Sequence, residues 1–212
     1  MKKSSPASAP RKKIATRPVL LKKDLMYIIF NKPYDVLSQF TPDLPGQRTL
    51  AQFDLPEDVY PAGRLDKDSE GLLLLTNDGP LIKKLLDPAQ GHERTYLVQV
   101  EGIPDEAALE KLRSGVTISG YTTRPASVEL LLTPPEVPER AKPIRMRKAI
   151  PTSWLRLTLV EGKNRQVRHM TAAVGHPTLR LIRISIGELT IEGLEEGKWR
   201  RAERETILRS TK

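Results

Sequence analysis

The sequence contains no cysteine, and this absence excludes both a disulfide framework and a thiolate metal site. Its three histidines, His92, His169 and His176, are too few and too scattered to suggest a metal cluster. No apolar run approaches the length of a transmembrane helix, and the N-terminus lacks the apolar core of a signal peptide. We therefore expect a soluble, cytoplasmic protein that binds no metal.

The net charge of +9 is distributed unevenly along the 212 residues. Residues 1–23 contribute +8, because they hold eight Lys or Arg and no acid. Residues 24–139 contribute −9, residues 140–187 contribute +10, and residues 188–212 are neutral. Two acid-poor blocks in one small protein favour a nucleic acid partner over two ordinary solvated surfaces.

The composition predicts a basic tail followed by a folded domain. Residues 1–24 combine Lys, Ser, Pro and Ala without apolar periodicity, which is typical of a disordered segment. Residues 25–212 are enough to bury a core of their own. Two roles remain open for the tail: salt-sensitive affinity for nucleic acid, or simple solubilisation.

The most informative stretch covers residues 63–76. Two glycines bracket a highly charged loop, and four consecutive leucines follow it. A four-leucine run bounded by turn residues predicts a short strand that is buried on both faces. The loop would then present Arg64, Asp66 and Asp68 from a rigid element, as a chemical site requires. The spacing alone favours a solvated ion pair in a charged hairpin loop, because paired carboxylates are often structural.

Periodicity and turn signals divide the rest of the chain into strands and helices. We expect strands near residues 26–30, 92–100, 116–132, 154–160 and 178–187, and helices near residues 80–87, 106–113 and 165–174. The last helix would begin after Asn164 as its cap, with Arg165 and Arg168 on the side of its exposed amide groups. That arrangement suits a phosphate or a carboxylate, although an ordinary basic helix gives the same pattern.

Three segments resemble motifs of the RNA pseudouridine synthases. The segment Gly63-Arg64-Leu65-Asp66, with the following Ser69-Glu70-Gly71 and the leucine run up to Gly79, is similar to the family's signature segment in the branch that modifies ribosomal RNA. Asn31-Lys32-Pro33 resembles its opening motif, and residues 161–168 resemble its third motif. The resemblance covers most of residues 26–201.

The resemblance implies catalytic roles for three residues. Asp66 corresponds to the catalytic nucleophile, and Arg168 corresponds to the arginine that pairs with it. Tyr96 corresponds to a tyrosine that packs on the target uracil and helps to remove a proton. The family pattern has lysine two residues before this tyrosine, where this chain has Arg94. A role that needs an ammonium group at that position is therefore in doubt.

The resemblance and the charge pattern also indicate substrate-binding residues. Arg64 would hold the active site and the flipped nucleotide, and Val167 would line the uracil pocket. We expect the remaining contacts with RNA from Lys163, Asn164, Arg165, Arg180 and Arg183. A basic loop within residues 133–151 is either a mobile flap that contacts RNA or an ordinary surface loop; its basic residues are Arg140, Lys142, Arg145, Arg147 and Lys148.

The family resemblance implies an α+β fold with a long mixed, mainly antiparallel sheet, flanking helices and a central RNA-binding cleft. It further implies isomerisation of a flipped uridine in ribosomal RNA, by a monomer that needs no metal or organic cofactor. Residues 1–24 are too few for the small RNA-binding domain that many members carry, a layout that resembles the E-type enzymes of the large subunit. We therefore expect a 23S rRNA target.

Other functions remain open from the residues. A synthase acting on 16S rRNA would share the same motifs. A non-catalytic factor in ribosome assembly would use the basic residues without Asp66. A glycoside or nucleoside hydrolase would also use carboxylates, but it would release free uracil.

Overall fold

A computed structural model of the protein describes residues 24–140, 142–144, 147 and 149–209. All but Asp24 of the predicted tail lies outside the described residues, as do Arg145 and Lys148 of the basic loop. Within these ranges, none of the helices has the length and the apolar character needed to cross a membrane.

A mixed sheet of nine strands forms the centre of the protein. In chain order the strands are β1 Tyr27–Lys32, β2 Tyr60–Pro61, β3 Glu70–Thr76, β4 Arg94–Glu101, β5 Thr117–Ile118, β6 Tyr121–Thr122, β7 Ser127–Leu131, β8 Thr152–Leu159, β9 Thr178–Ile186, β10 Leu189–Thr190 and β11 Trp199–Arg201. The sheet order is β11-β1-β3-β9-β4-β8-β7, with β2 on β3 and β10 on β9, while β5 and β6 form a separate hairpin. Only the pair β3–β9 is parallel among the described strands, so the predicted mixed, mainly antiparallel sheet is confirmed.

Four α-helices accompany the sheet in the described residues: α1 Gly79–Leu86, α2 Glu106–Ser114, α3 Gln166–Ala173 and α4 Arg204–Arg209. The starts of α1 and α2 follow from their caps, because Asp78 accepts a hydrogen bond from Leu81 N and Asp105 accepts one from Ala108 N. Gly115 ends α2 with a φ of 110°. These two helices are confirmed as predicted.

Strand β3 lies in the middle of the protein, and all seven of its residues are buried. Its leucines alternate between the two faces of the sheet. Leu72 and Leu74 pack in a cluster with Ile29, whereas Leu73 and Leu75 pack in another with the neighbouring residues of β1. The two-sided burial predicted from the leucine run is confirmed, and the loop before β3 is therefore anchored to a rigid element.

Candidate active site

A cavity of about 710 Å³ opens beside the loop that precedes β3. Its wall comes from that loop, the end of α1, the start of β4, the turn before α3, and β9. Eight of the ten predicted site residues line it: Arg64, Asp66, Tyr96, Lys163, Asn164, Arg165, Val167 and Arg183. The other two, Arg168 and Arg180, lie outside this lining.

Asp66 is the first residue of a β-turn that ends at Ser69, whose N–H donates to the Asp66 carbonyl over 3.0 Å. The loop after β1 holds this turn from one side. Lys67 Nζ lies 3.0 Å from the carboxylate of Asp35, and Asp35 N donates to the Lys67 carbonyl over 2.8 Å. The backbone of the turn that carries Asp66 is thus tied to the loop after β1, while the ion pair between two exposed side chains adds little.

The guanidinium of Arg165 lies between two carboxylates of this turn. Its Nη1 is 3.3 Å from Asp66 Oδ2 and 3.0 Å from Asp68 Oδ1, and its Nη2 is 2.9 Å from Asp68 Oδ2. The hydrogen bonds to Asp68 and the charges of both aspartates raise the pKa of Arg165, against the effect of burial. Burial would raise the pKa of Asp68, but the bonds and charges of Arg165 and Arg168 outweigh it and hold that pKa below its usual value.

Arg168 occupies a different place from the one expected. Its Nη2 donates to the backbone carbonyl of Asp68 over 2.7 Å, and it lies 3.4 Å from the Asp68 carboxylate and 3.5 Å from Ser69 Oγ. Burial lowers its pKa, although the nearby aspartates oppose that effect. The predicted contact between Arg168 and Asp66 is therefore wrong in this structure. Arg165 makes that contact, and Arg168 supports the turn from behind.

The conformation of Arg165 explains this exchange of roles. Helix α3 begins at Gln166, and Arg165 precedes it in the left-handed conformation, with φ 51° and ψ 28°. The side chain therefore leaves the backbone in a direction that helical spacing from Arg168 does not describe. A non-glycine residue held in this region stores strain, and such residues concentrate at functional sites.

The turn before α3 is closed by glutamine rather than by the expected Asn164 cap, and the position before the helix makes no side-chain capping bond. Gln166 Oε1 accepts from Lys163 N over 2.9 Å, and Gln166 Nε2 donates to Glu161 Oε1 over 2.6 Å. The same Glu161 oxygen accepts from Arg124 N over 2.9 Å. Neither Glu161 nor Gln166 was identified as a site residue from the sequence, because local spacing gives no sign of this long-range network.

Tyr96 lies at the start of β4, where it is 9% exposed and faces the cavity. Nearby, Arg94 Nη1 donates to the carbonyl of His92 over 3.0 Å and Nη2 donates to that of Leu85 over 3.3 Å. Burial lowers the pKa of Arg94. Since the two bonds leave from different nitrogens, a lysine could not reproduce both of them in the same geometry.

The last two predicted arginines lie on β9 and are both buried. Arg180 forms a two-pronged ion pair with Glu70, with bonds of 3.0 and 2.7 Å, so the expected phosphate contact is wrong: this guanidinium joins β3 to β9. Arg183 donates from Nε to the carbonyl of Leu72 over 2.8 Å and faces the cavity. Its Nη2 has no hydrogen-bond partner among the described residues.

The site offers little to a metal ion. Across the described ranges, no group of three or more His, Asp or Glu side chains is placed to hold one. The cavity instead combines a paired carboxylate, an aromatic ring, apolar side chains and several guanidinium groups.

Residues 26–173 match the family model for RNA pseudouridylate synthase. The chain belongs to this family. The matched range contains the Asp66 turn, Tyr96 and all of α3, so it includes most of the cavity. The expectation that the protein is an RNA pseudouridine synthase, and hence an isomerase, is confirmed.

Individual relatives agree with the family match. The chain is 56% identical over 173 residues to ribosomal large subunit pseudouridine synthase E of Vibrio vulnificus, covering 82% of this chain and 73% of the relative. It is 53% identical over 176 residues to the enzyme of the same name from Xanthomonas campestris, covering 82% of this chain and 94% of the relative. A solved pseudouridylate synthase matches with 29% identity and a TM-score of 0.70, over 88% of this chain and 74% of the other. The expected fold is thereby confirmed.

Proposed function

We propose that this protein converts a uridine of 23S ribosomal RNA to pseudouridine, as a cytoplasmic monomer that needs no metal or organic cofactor. The names of the relatives from Vibrio vulnificus and Xanthomonas campestris support a large-subunit target. The acid-poor block at residues 140–187 supports a polyanionic substrate, because it carries a net charge of +10. We further propose that residues 25–212 form the catalytic domain.

One observation carries the proposal: side chains from motifs about a hundred residues apart share one cavity. Asp66 comes from the turn before β3, Tyr96 from β4, and Val167 from the first turn of α3. The cavity of about 710 Å³ lies within the range of small-ligand sites, and a nucleotide flipped out of its stack would have room there.

The proposed reaction begins at Asp66. Asp66 acts at the junction of ribose and base, either as a nucleophile at C1′ or as a base toward the sugar, and the N1–C1′ bond breaks. With attack at C1′, an ester forms and the electron pair of the broken bond leaves with the uracil. The uracil then turns, its C5 displaces the carboxylate from C1′, and the C5 proton is lost while N1 gains one. Atoms and electrons balance without a co-reactant.

Each neighbouring group would have a distinct task. The guanidinium of Arg165, 3.3 Å from Asp66, stabilises the charge of the carboxylate before attack. Tyr96 and Val167 confine the released base between a ring and an apolar side chain. Arg183 offers a buried N–H donor to a uracil carbonyl at the inner wall. Three exposed residues at the mouth would hold the sugar–phosphate backbone: Arg64, Lys163 and Asn164.

The test is the variant Asp66→Asn, incubated with a 23S rRNA transcript. The variant keeps the shape of the side chain but loses its charge and nucleophilicity, so we expect normal RNA binding and no pseudouridine. Carbodiimide-block primer extension measures the product, and a filter-binding titration measures affinity. Asp54→Asn, an exposed change in a different loop, serves as the control and should retain activity.

Two outcomes would contradict the proposal. Pseudouridine made by the Asp66→Asn variant would remove Asp66 from the mechanism. Free uracil released by the unchanged protein, with no pseudouridine in the RNA, would indicate hydrolysis of the glycosidic bond instead of isomerisation.

A further inference from the structure

We propose that Asp68 is a positioning residue for the isomerisation: it holds Arg165 beside Asp66, so that the guanidinium stabilises the nucleophile without covering it. This inference rests on the proposed role of Asp66. Asp68 acts through Arg165 and does not itself need to touch the substrate.

The contacts of Arg165 are divided unequally between the two aspartates. Asp68 receives both prongs of the guanidinium, at 3.0 and 2.9 Å, which is the parallel two-bond geometry of a strong ion pair. Asp66 receives a single contact, at 3.3 Å, longer than a typical charge-assisted hydrogen bond. The guanidinium is therefore bound mainly by Asp68 and makes a longer, weaker contact with Asp66.

Asp68 is also the point at which α3 meets the catalytic turn. Arg168 Nη2 donates to the Asp68 carbonyl over 2.7 Å and lies 3.4 Å from its carboxylate. Arg165 and Arg168 thus converge on this one residue. Asp66, two positions earlier in the same turn, has only its Oδ2 within hydrogen-bond distance of a guanidinium among the described residues. An oxygen without such a contact is what attack on C1′ requires.

The backbone leaves Arg165 few alternatives. It is held with φ 51°, and the Glu161–Gln166 bond of 2.6 Å closes the turn on its C-terminal side. With its backbone held in this way, the Arg165 guanidinium can form two parallel hydrogen bonds with Asp68, as observed, or with Asp66. Removing the charge of Asp68 would therefore shift these two hydrogen bonds to Asp66 and cover both oxygens of the nucleophile.

The variant Asp68→Asn tests the inference, because it preserves volume and removes the charge. We expect kcat to fall by about 10- to 100-fold, the range caused by small misplacements of catalytic groups. The KM for the rRNA transcript should stay the same or decrease, since one negative charge near the RNA is lost. Asp68→Glu, which keeps the charge, should recover part of kcat.

Asp35→Asn provides a matched control. The Asp35 carboxylate contacts the same turn through an exposed ion pair of 3.0 Å with Lys67, and among the described residues it forms no ion pair with Arg165 or Arg168. The backbone bond from Asp35 N to the Lys67 carbonyl, which holds the turn, is kept in this variant. Asp35→Asn removes the same unit of charge, from the loop after β1. We expect Asp35→Asn to keep kcat close to that of the unchanged protein, so a loss confined to Asp68→Asn would reflect the arginine contact.

A double-mutant cycle with Arg165→Gln decides whether Asp68 works through Arg165. If it does, Asp68→Asn should have little further effect on kcat once Arg165 is gone. Independent, multiplying effects would overturn the inference, and so would an Asp68→Asn variant that behaves like Asp35→Asn. If Asp68→Asn lacks a cooperative unfolding transition, Arg165→Lys is used instead. A lysine keeps the charge but cannot form the two parallel hydrogen bonds of a guanidinium. Normal kcat in that variant would overturn the inference.

The two proposals fail in different ways. An unchanged protein that forms no pseudouridine in any rRNA transcript would contradict the proposed function before any variant is compared. An active protein with a normal Asp68→Asn variant would contradict only the role of Asp68.

Discussion

Lys32, at the end of β1, shows how the opening motif stabilises the site at the level of a single side chain. It is fully buried, and its Nζ donates to the carbonyls of Pro33 over 2.9 Å and Val36 over 2.7 Å. Burial lowers its pKa to about 7, and the charge of Glu70 offsets only part of this effect. The amine therefore ties the end of β1 to the loop that supports the Asp66 turn.

This pKa predicts a dependence of stability on pH. Because the folded pKa lies near 7 and the ordinary value is 10.5, the unfolded chain binds more protons between these values, and the free energy of unfolding must rise with pH there. The slope due to Lys32 is at most about 1.4 kcal/mol per pH unit. Urea unfolding measures this slope in the unchanged protein and in Lys32→Met, from about pH 7.5 to about pH 9.5. Only the unchanged protein should show it. Parallel curves would contradict the assignment.

At the scale of single residues, the sequence identified which side chains line the cavity better than which side chains contact one another. Asp66, Tyr96 and Val167 were identified from motifs, and all three face the cavity. The partner of Asp66 was predicted as Arg168 from the resemblance of residues 161–168 to the family's third motif, whereas in the structure the residue at position 165 makes this contact. A left-handed residue at that position redirects the chain, and only the folded structure shows it.

The parallel pair of β3 and β9 is the element that places Arg183 beside the Asp66 turn. Gly71 lies opposite Arg183 in this pair and has a φ of 99°. A Cβ atom at Gly71 would be 2.2 Å from the Arg183 carbonyl oxygen, a distance that real contacts do not reach. The close approach of the two strands therefore requires glycine at this position.

Gly71→Ala should consequently be strongly destabilising. We expect a loss of about 3 kcal/mol or more in the free energy of unfolding, from backbone strain and from separation of the strands. Gly46→Ala is the matched control, since Gly46 has a similar φ of 82° but nothing within 4 Å of an added Cβ. That control should lose about 1–2 kcal/mol. Equal losses in urea denaturation would show that the contact with β9 does not matter.

Elements with local signals were predictable, and those that depend on distant contacts were not. The leucine run predicted β3, and Asp105 with Gly115 bounded α2, because burial on two faces and capping both appear in short stretches of sequence. The start of α3 was misplaced because it depends on the bond between Glu161 and Gln166 and on the bond to the backbone of Arg124.

Over the whole molecule, the charges separate a basic part from an acidic part. Residues 140–187 carry +10 and supply Lys163, Asn164 and Arg165 at the mouth of the cavity. Residues 24–139 carry −9, yet they contribute Asp66 and Asp68. Folding thus brings the carboxylates of the proposed active site to the basic segment that we propose to hold the RNA backbone.

The basic segment 1–23 should add affinity without adding catalysis. Its eight positive charges would release counterions from RNA, so a chain starting at residue 24 should bind more weakly at low salt and show a shallower dependence of affinity on salt concentration. Its kcat at saturating RNA should be unchanged. Titrations of both chains over a range of salt concentrations measure the two slopes, and identical slopes would assign the segment a different role.

The order of the strands was beyond prediction from the residues alone. Periodicity located most of the strands, but the order β11-β1-β3-β9-β4-β8-β7 joins segments that are far apart in the chain. The buried pair of Glu70 and Arg180, 110 positions apart, illustrates the difficulty. Arg180 resembled a phosphate ligand in sequence, and only the pairing of β3 with β9 shows that its guanidinium is already occupied.

The most direct measurement is a map of pseudouridines in the 23S rRNA of cells that lack this protein, complemented with either the unchanged gene or the Asp66→Asn variant. We predict that one site disappears in the deletion, returns with the unchanged protein and stays absent with the variant. A site restored by Asp66→Asn, or an rRNA map that does not change on deletion, would contradict the central claim.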